Sequence, residues 1–178
     1  MPSSKIIKSG LALLESDSSK LLGVQVGEHV VTPGLYIPKS EAQLPPDISF
    51  SMLSTSKDYL VVSLDPDAPF PSFSVLGPIL HWIQPELKPT PETGGTGNIK
   101  LTSHFVADYI GPAPPLCSWP HKYVFLLFEQ PTGFDSQKYS PSTGDKIGLG
   151  ARMRYDLDRW AAEINLGPVI AVNYFLSN

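Results

Sequence analysis

The chain has 178 residues, of which 42% are apolar and 17% charged, with a formal net charge of −4. That length suits one domain with a sizeable core, and that composition is globular rather than disordered. The negative balance argues against a nucleic-acid footprint, which needs a basic face.

Nineteen prolines predict many fixed turns, and the one cysteine, Cys117, leaves no internal disulfide. A reduced, cytoplasmic setting is the expectation. Residues 1–178 read as a single domain, with 1–18 as an N-terminal helical extension: Ile6, Ile7, Leu11, Leu13 and Leu14 give a small amphipathic pattern interrupted at Gly10. It is too short and polar for a secretory segment, and no run approaches a membrane span.

"KLLGVQVGEHVVTPGLYIP" alternates between glycine and proline punctuation, predicting two short strands around a turn, and "PPDISF" is a third candidate. "YLVVSL" is a continuous apolar run that suits a central, doubly buried strand. "GPILHWIQPEL" is strand-like, with His81 and Trp82 in its middle, whereas "KPTPETGGTGN" reads as an exposed loop. "YIGPAPPLCSWPH" is a proline-rich connection into "KYVFLLFEQ", the most strand-like run in the chain. "DLDRWAAEINLG" predicts a helix with Asp156 as N-cap, Asp158 in the first turn, and Gly167 with Pro168 at the stop. "VIAVNYFL" predicts a closing strand. Many strands, few helices and no βαβ alternation give a mainly β fold, an antiparallel β-sandwich with a few peripheral helices.

Chemistry concentrates where the strand "YLVVSL" runs into "DPDAP", because two carboxylates in a proline-fixed turn hold their directions. His121 and Tyr123, two apart on a strand, point to the same face. If that face meets the turn carrying Asp65, acceptors and donors converge on one polar headgroup, and His81, inside its own strand, is a further candidate. Taken singly, each residue has a structural explanation: an Asx-type turn for Asp65 and Asp67, a satisfied core residue for His81, and strand packing for His121 and Tyr123.

The ordered set "DPDAP" (65–69), "LHW" (80–82), "GPAPP" (111–115) and "HKYVFLLFEQP" (121–131) resembles the phosphatidylethanolamine-binding protein family, in particular its fungal members similar to carboxypeptidase Y inhibitor. "PPDISF", "KDYLVVSL" and "YDLDRWAAEINLGPVIAVNYF" extend the resemblance from about Leu21 to Phe175. It implies a sandwich in which Asp65, His81, His121 and Tyr123 line a small anion pocket, with Asp67, Pro69 and Pro115 shaping its rim. Phosphate-like groups, including phospholipid headgroups, are the implied ligands. A serine carboxypeptidase or a kinase is the implied protein partner, and peripheral membrane contact is compatible with it.

Three departures make the rim more apolar than the family's. Phe70 and Pro71 stand where the family has Ser-Arg, "LCSWP" replaces a glycine-rich stretch so that Trp119 adds bulk, and Ile79 takes an aromatic position. Such walls suit a small organic ligand.

Two functions follow. The first is a non-enzymatic, ligand-binding regulatory protein with a phosphate pocket, contacting its ligand through Asp65, Asp67, Pro69, His81, Pro115, Trp119, His121 and Tyr123. The alternative is an enzyme in which His81, His121, Asp65 and Tyr123 act as acids or bases in a cyclisation or dehydration of an apolar molecule. No cofactor is expected, and no HExxH or CxxC spacing supports a metal. The absence of a nucleophile elbow, P-loop or dinucleotide fingerprint argues against ordinary hydrolase, kinase or dehydrogenase chemistry.

Overall fold

A computed structural model describes residues 4–89, 99–100, 105–141 and 146–178. Among the described residues the strands are β1 (Gly23–Val26), β2 (His29–Val30), β3 (Leu35–Tyr36), β4 (Asp47–Ser49), β5 (Tyr59–Asp65), β6 (Ile79–Pro89), β7 (Ile99–Lys100), β8 (His121–Glu129) and β9 (Ala171–Ser177). The helices are α1 (Lys5–Ser16), α2 (Ser136–Tyr139), α3 (Leu149–Arg152) and α4 (Leu157–Glu163). A three-stranded sheet runs β2-β1-β4 and a six-stranded sheet runs β3-β9-β8-β5-β6-β7.

Period-two alternation sorts the large sheet's side chains between two cores. Val61, Tyr123, Phe125, Leu127 and Phe175 face the small sheet, where Val24, Val26, Ile48 and Phe50 meet them. Leu60, Val62, Leu64, Val124, Leu126 and Phe128 face the other way, onto Ile7 of α1 and Leu157, Trp160 and Ile164 of α4. The fold is therefore the expected β-sandwich with peripheral helices. β5 lies between β6 and β8 with all seven residues buried, which explains its unbroken apolar run.

Three details differ from the sequence expectation. The stretch expected to hold two short strands around a turn holds three, β1, β2 and β3, because the chain after Pro33 and Gly34 pairs with β9 rather than continuing β2. β3 pairs with β9 in parallel, so the large sheet is mixed at that edge. α4 ends at Glu163, short of Gly167: Asn165 takes a left-handed φ of 53°, and the amides of Asn165 and Leu166 donate to the carbonyls of Ala162 and Ala161. That closure satisfies the helix's last carbonyls before Gly167 is reached. Of the proposed loop "KPTPETGGTGN", Lys88 and Pro89 belong to β6, Ile99 follows in β7, and residues 90–98 lie outside the described residues.

α1 carries the predicted Ile-Leu pattern, and Gly10 does not break it. A Cβ there would stand 2.6 Å from Leu126 Cδ2, so glycine lets the helix approach the sheet. Its N-terminus is held from α4: Ser4 Oγ and the amides of Lys5 and Ile6 all donate to the Asp158 carboxylate, at 2.8, 2.7 and 3.1 Å. Burial works against the charge on Asp158, but these donors prevail and hold its carboxyl below the usual range.

Candidate functional site: a buried carboxylate, two histidines and a serine

The end of β5 presents Asp65, and the turn after it folds back onto that carboxylate. The Asp67 amide donates to Asp65 Oδ1 at 2.8 Å, an Asx-type closure. Asp67 Oδ2 in turn accepts from the Lys122 amide at 2.8 Å, fastening the turn to β8. The amides of Leu76 and Gly77 close the far side on the Ala68 carbonyl. Gly77 leaves no room for a side chain, since a Cβ would stand 2.6 Å from the Pro66 carbonyl oxygen. The turn thus serves both readings drawn from its sequence: it stabilises itself, and it aims Asp65.

That aim is at His121, the first residue of β8. His121 Nδ1 bonds Asp65 Oδ2 at 2.8 Å, with the imidazole 1% and the carboxylate 4% exposed. Burial by itself would lower the imidazole's pKa. The Asp65 hydrogen bond and the charges of Asp65 and Asp67 outweigh it, so His121 sits above its ordinary value.

His81 reaches the same place through a β-bulge. Ser63 pairs with Trp82 and Leu64 with Leu80, which leaves His81 as the extra residue of β6. Leu80 consequently joins the helix-side core while Trp82 joins the sandwich core. His81 packs edge-on against Tyr123, with ring centroids 5.0 Å apart, and its Nδ1 bonds the Ile110 carbonyl at 2.7 Å. Burial lowers its pKa, so this imidazole gives up its proton at lower pH than His121 does. Tyr123 is also buried, which raises its phenol pKa far above the usual.

Asp65, His81, His121 and Tyr123 are therefore brought together, the grouping that the family resemblance implies. Pro69 is half-buried at the turn, and its backbone carbonyl adds to the field that favours protonated His121. Pro115 is exposed, and Trp119 is 80% exposed. The inward side chain of that connection is Ser118, between the outward Cys117 and Trp119.

Ser118 was not singled out by sequence pattern, yet it completes the cluster. Its Oγ lies 2.8 Å from His121 Nε2 and 2.9 Å from the Trp119 carbonyl. One hydroxyl proton cannot serve both acceptors. When Ser118 donates to Trp119, His121 must donate from both ring nitrogens, the imidazolium state that the two aspartates favour. Ser177, paired with His121 across β8 and β9, has a buried Oγ without a partner among the described residues.

Behind His81 lies an ion pair that the sequence also hid. Arg152 of α3 pairs with Asp108, both buried, and its guanidinium donates to the carbonyls of Leu80, His81 and Asp108. The bulge is thereby braced by a charge.

Two cavities lie on the opposite side of β8, against α1. One of about 370 Å³ is lined by Leu11, Leu14, Leu21 and Tyr174, another of about 270 Å³ by Ile7, Lys8, Pro66 and Asp67, and Lys122 borders both. The histidine cluster lines neither. Among the described residues no group of three or more His, Cys, Asp or Glu side chains is arranged to hold a metal ion, and no helix is long and apolar enough to cross a membrane.

A family profile described as phosphatidylethanolamine-binding protein matches residues 27–175. The chain belongs to the phosphatidylethanolamine-binding protein family. Within it, the chain is 33% identical over 150 residues to the carboxypeptidase Y inhibitor of Saccharomyces cerevisiae, covering 78% of this chain and 64% of that one. It is 34% identical over 107 residues to phomoidride biosynthesis cluster protein N of Talaromyces stipitatus, covering 56% and 50%. The chain thus spans between half and two thirds of the length of these two curated relatives. Among solved structures, carboxypeptidase Y inhibitor complexed with its cognate proteinase superposes with a TM-score of 0.72 at 26% identity, covering 96% of this chain and 92% of that chain. Asp65, His81, His121 and Tyr123 fall on "DPDAP", "LHW" and "HKY", motifs that carry the resemblance, whereas Ser118 falls in "LCSWP", where the chain departs from it.

Proposed function

We propose that this chain is a small-ligand-binding regulatory protein whose buried cluster accepts the anionic group of a phosphate-bearing ligand. The observation that carries this reading is the pairing of His121 with Asp65 at one nitrogen and Ser118 at the other. An imidazolium whose second N–H meets a neutral hydroxyl is a strong donor to an anion oxygen. A turn of Ser118 about its side-chain bond would free that N–H, and the Ser177 hydroxyl stands on the neighbouring strand as a further donor. The test is a titration with phosphorylethanolamine followed at the histidine ring nitrogens by NMR. His121 Nε2 moves and His121→Ala abolishes binding; an unmoved signal at saturating ligand sinks the reading.

A serine carboxypeptidase is the proposed protein partner, supported by similarity to an inhibitor solved with its cognate proteinase. Purified full-length protein should inhibit such an enzyme, and inactivity across a panel removes that partner.

A second reading is acid-base catalysis on an apolar molecule. It is favoured by the unbroken hydrogen-bonded line from Asp65 through His121 to Ser118, and by similarity to a protein named for a biosynthetic cluster. Conversion of a non-phosphorylated metabolite, lost with His121→Ala, would favour it over ligand binding.

A further inference from the structure

The line of three side chains has a second chemical meaning. A carboxylate on one imidazole nitrogen fixes the tautomer, and the other nitrogen then becomes a proton acceptor toward a hydroxyl. Asp65 Oδ2 to His121 Nδ1 measures 2.8 Å, and His121 Nε2 to Ser118 Oγ measures 2.8 Å. This is the geometry that activates a serine, and it is recognised by distances and roles rather than by chain order or motif. Here the order is Asp65, Ser118, His121, with serine and histidine only three residues apart in a proline-rich connection, so no nucleophile-elbow sequence announces it.

We propose that Ser118 is an acyl-accepting nucleophile, activated by His121 and positioned through Asp65, for small esters or anhydrides that carry an apolar acyl group. Ser118 Oγ attacks the acyl carbon and its proton passes to His121 Nε2. The bond to the leaving alkoxide or carboxylate breaks, and the leaving group takes up that proton. Water then adds to the acyl carbon and gives a proton to Nε2. The Ser118 oxygen departs, recovers the proton, and a carboxylic acid is released. No oxidant, reductant or metal enters the balance.

Two further observations bear on it. Ser177 pairs with His121 across the strands and carries a buried Oγ with no partner among the described residues, a hydroxyl free to donate to the oxyanion. Leu116 and Trp119, 87% and 80% exposed, flank Ser118 in the chain and give an apolar approach for the acyl group. The Trp119 carbonyl is the off state: while Ser118 donates there, its proton is not on the path to His121.

The experiment treats the full chain with an alkyl fluorophosphonate and maps the adduct by peptide mass spectrometry. One adduct per chain is expected on Ser118, retained in Cys117→Ala, absent after heat denaturation, and slowed about a hundredfold in His121→Gln. Labelling should rise with pH as His121 loses its proton. The charges and titratable groups facing His121 are Asp65 and Asp67 from the turn after β5, and His81 from β6. Asp65→Asn should slow labelling and shift its rise to lower pH, a change that mere loosening of the fold would not give. An adduct elsewhere, no adduct on native protein, or labelling that survives His121→Gln unchanged overturns the proposal. Ser118→Ala should abolish labelling, and phosphorylethanolamine binding is read separately by NMR on the wild-type chain: a chain that binds but does not label overturns this proposal alone, and one that labels but does not bind overturns the binding reading alone.

Discussion

Asp65 and His121 join the end of β5 to the start of β8 through a buried bond of 2.8 Å. Asp65→Asn keeps an acceptor for the imidazole but removes the charge that favours its protonated form. Expected are a loss of about 1–3 kcal/mol of stability and a fall of the His121 pKa toward or below its ordinary value. Denaturant unfolding and an NMR pH titration check both.

The two histidines should titrate on opposite sides of 6.5, His121 above and His81 below. A raised folded pKa means that the His121 contribution is fully present below 6.5 and is lost as pH rises through the folded value. His81 has the reverse sign: the unfolded chain binds its proton more readily, so stability falls as pH drops below 6.5. Melting temperature against pH should lose its alkaline limb in His121→Asn and part of its acid limb in His81→Asn.

Asp158→Ala would leave Ser4 Oγ and the amides of Lys5 and Ile6 without their shared acceptor. A loss of about 1–3 kcal/mol is expected, with faster hydrogen exchange confined to α1. Because the folded pKa of Asp158 is depressed, wild type should approach the variant as pH falls through that pKa.

Gly10→Ala sets local propensity against packing. Alanine favours a helix by about 1 kcal/mol, yet its Cβ would press on Leu126, which is fully buried. Overpacking should win, and calorimetry should show a net loss of about 1–3 kcal/mol.

Trp119→Ala should leave stability within about 0.5 kcal/mol, since that side chain is mostly in solvent. A large loss in melting temperature would contradict the exposed position.

The sequence was most legible where pattern and burial coincide. β5 and β8 announce themselves by apolar runs because both faces are covered, and "DPDAP" announces a fixed turn because prolines restrict it. The position of His81 was visible but not its direction, since the bulge is set by pairing with β5 rather than by any local residue. Ser118 sits in a connection without periodicity, and its value comes only from His121 three residues on. Arg152 and Asp108 are far apart in the chain, and no local pattern joins them. Asn165 was overlooked because Gly167 and Pro168 are the louder stop signal, although a left-handed asparagine does the same work sooner.

β9 follows every other strand in the chain and yet lies between β3 and β8 in the large sheet. Leu35 meets Phe175, so this pairing closes a long loop, most of the chain, before it returns any free energy. During synthesis the first 170 residues are therefore made with β8 lacking its neighbour on that side, and Val124 and Phe125 await Tyr174 and Asn173. The open edge is a template for the wrong partner until β9 arrives. Yield in the cell should thus depend on chaperone capacity more steeply than the stability of the finished fold would suggest.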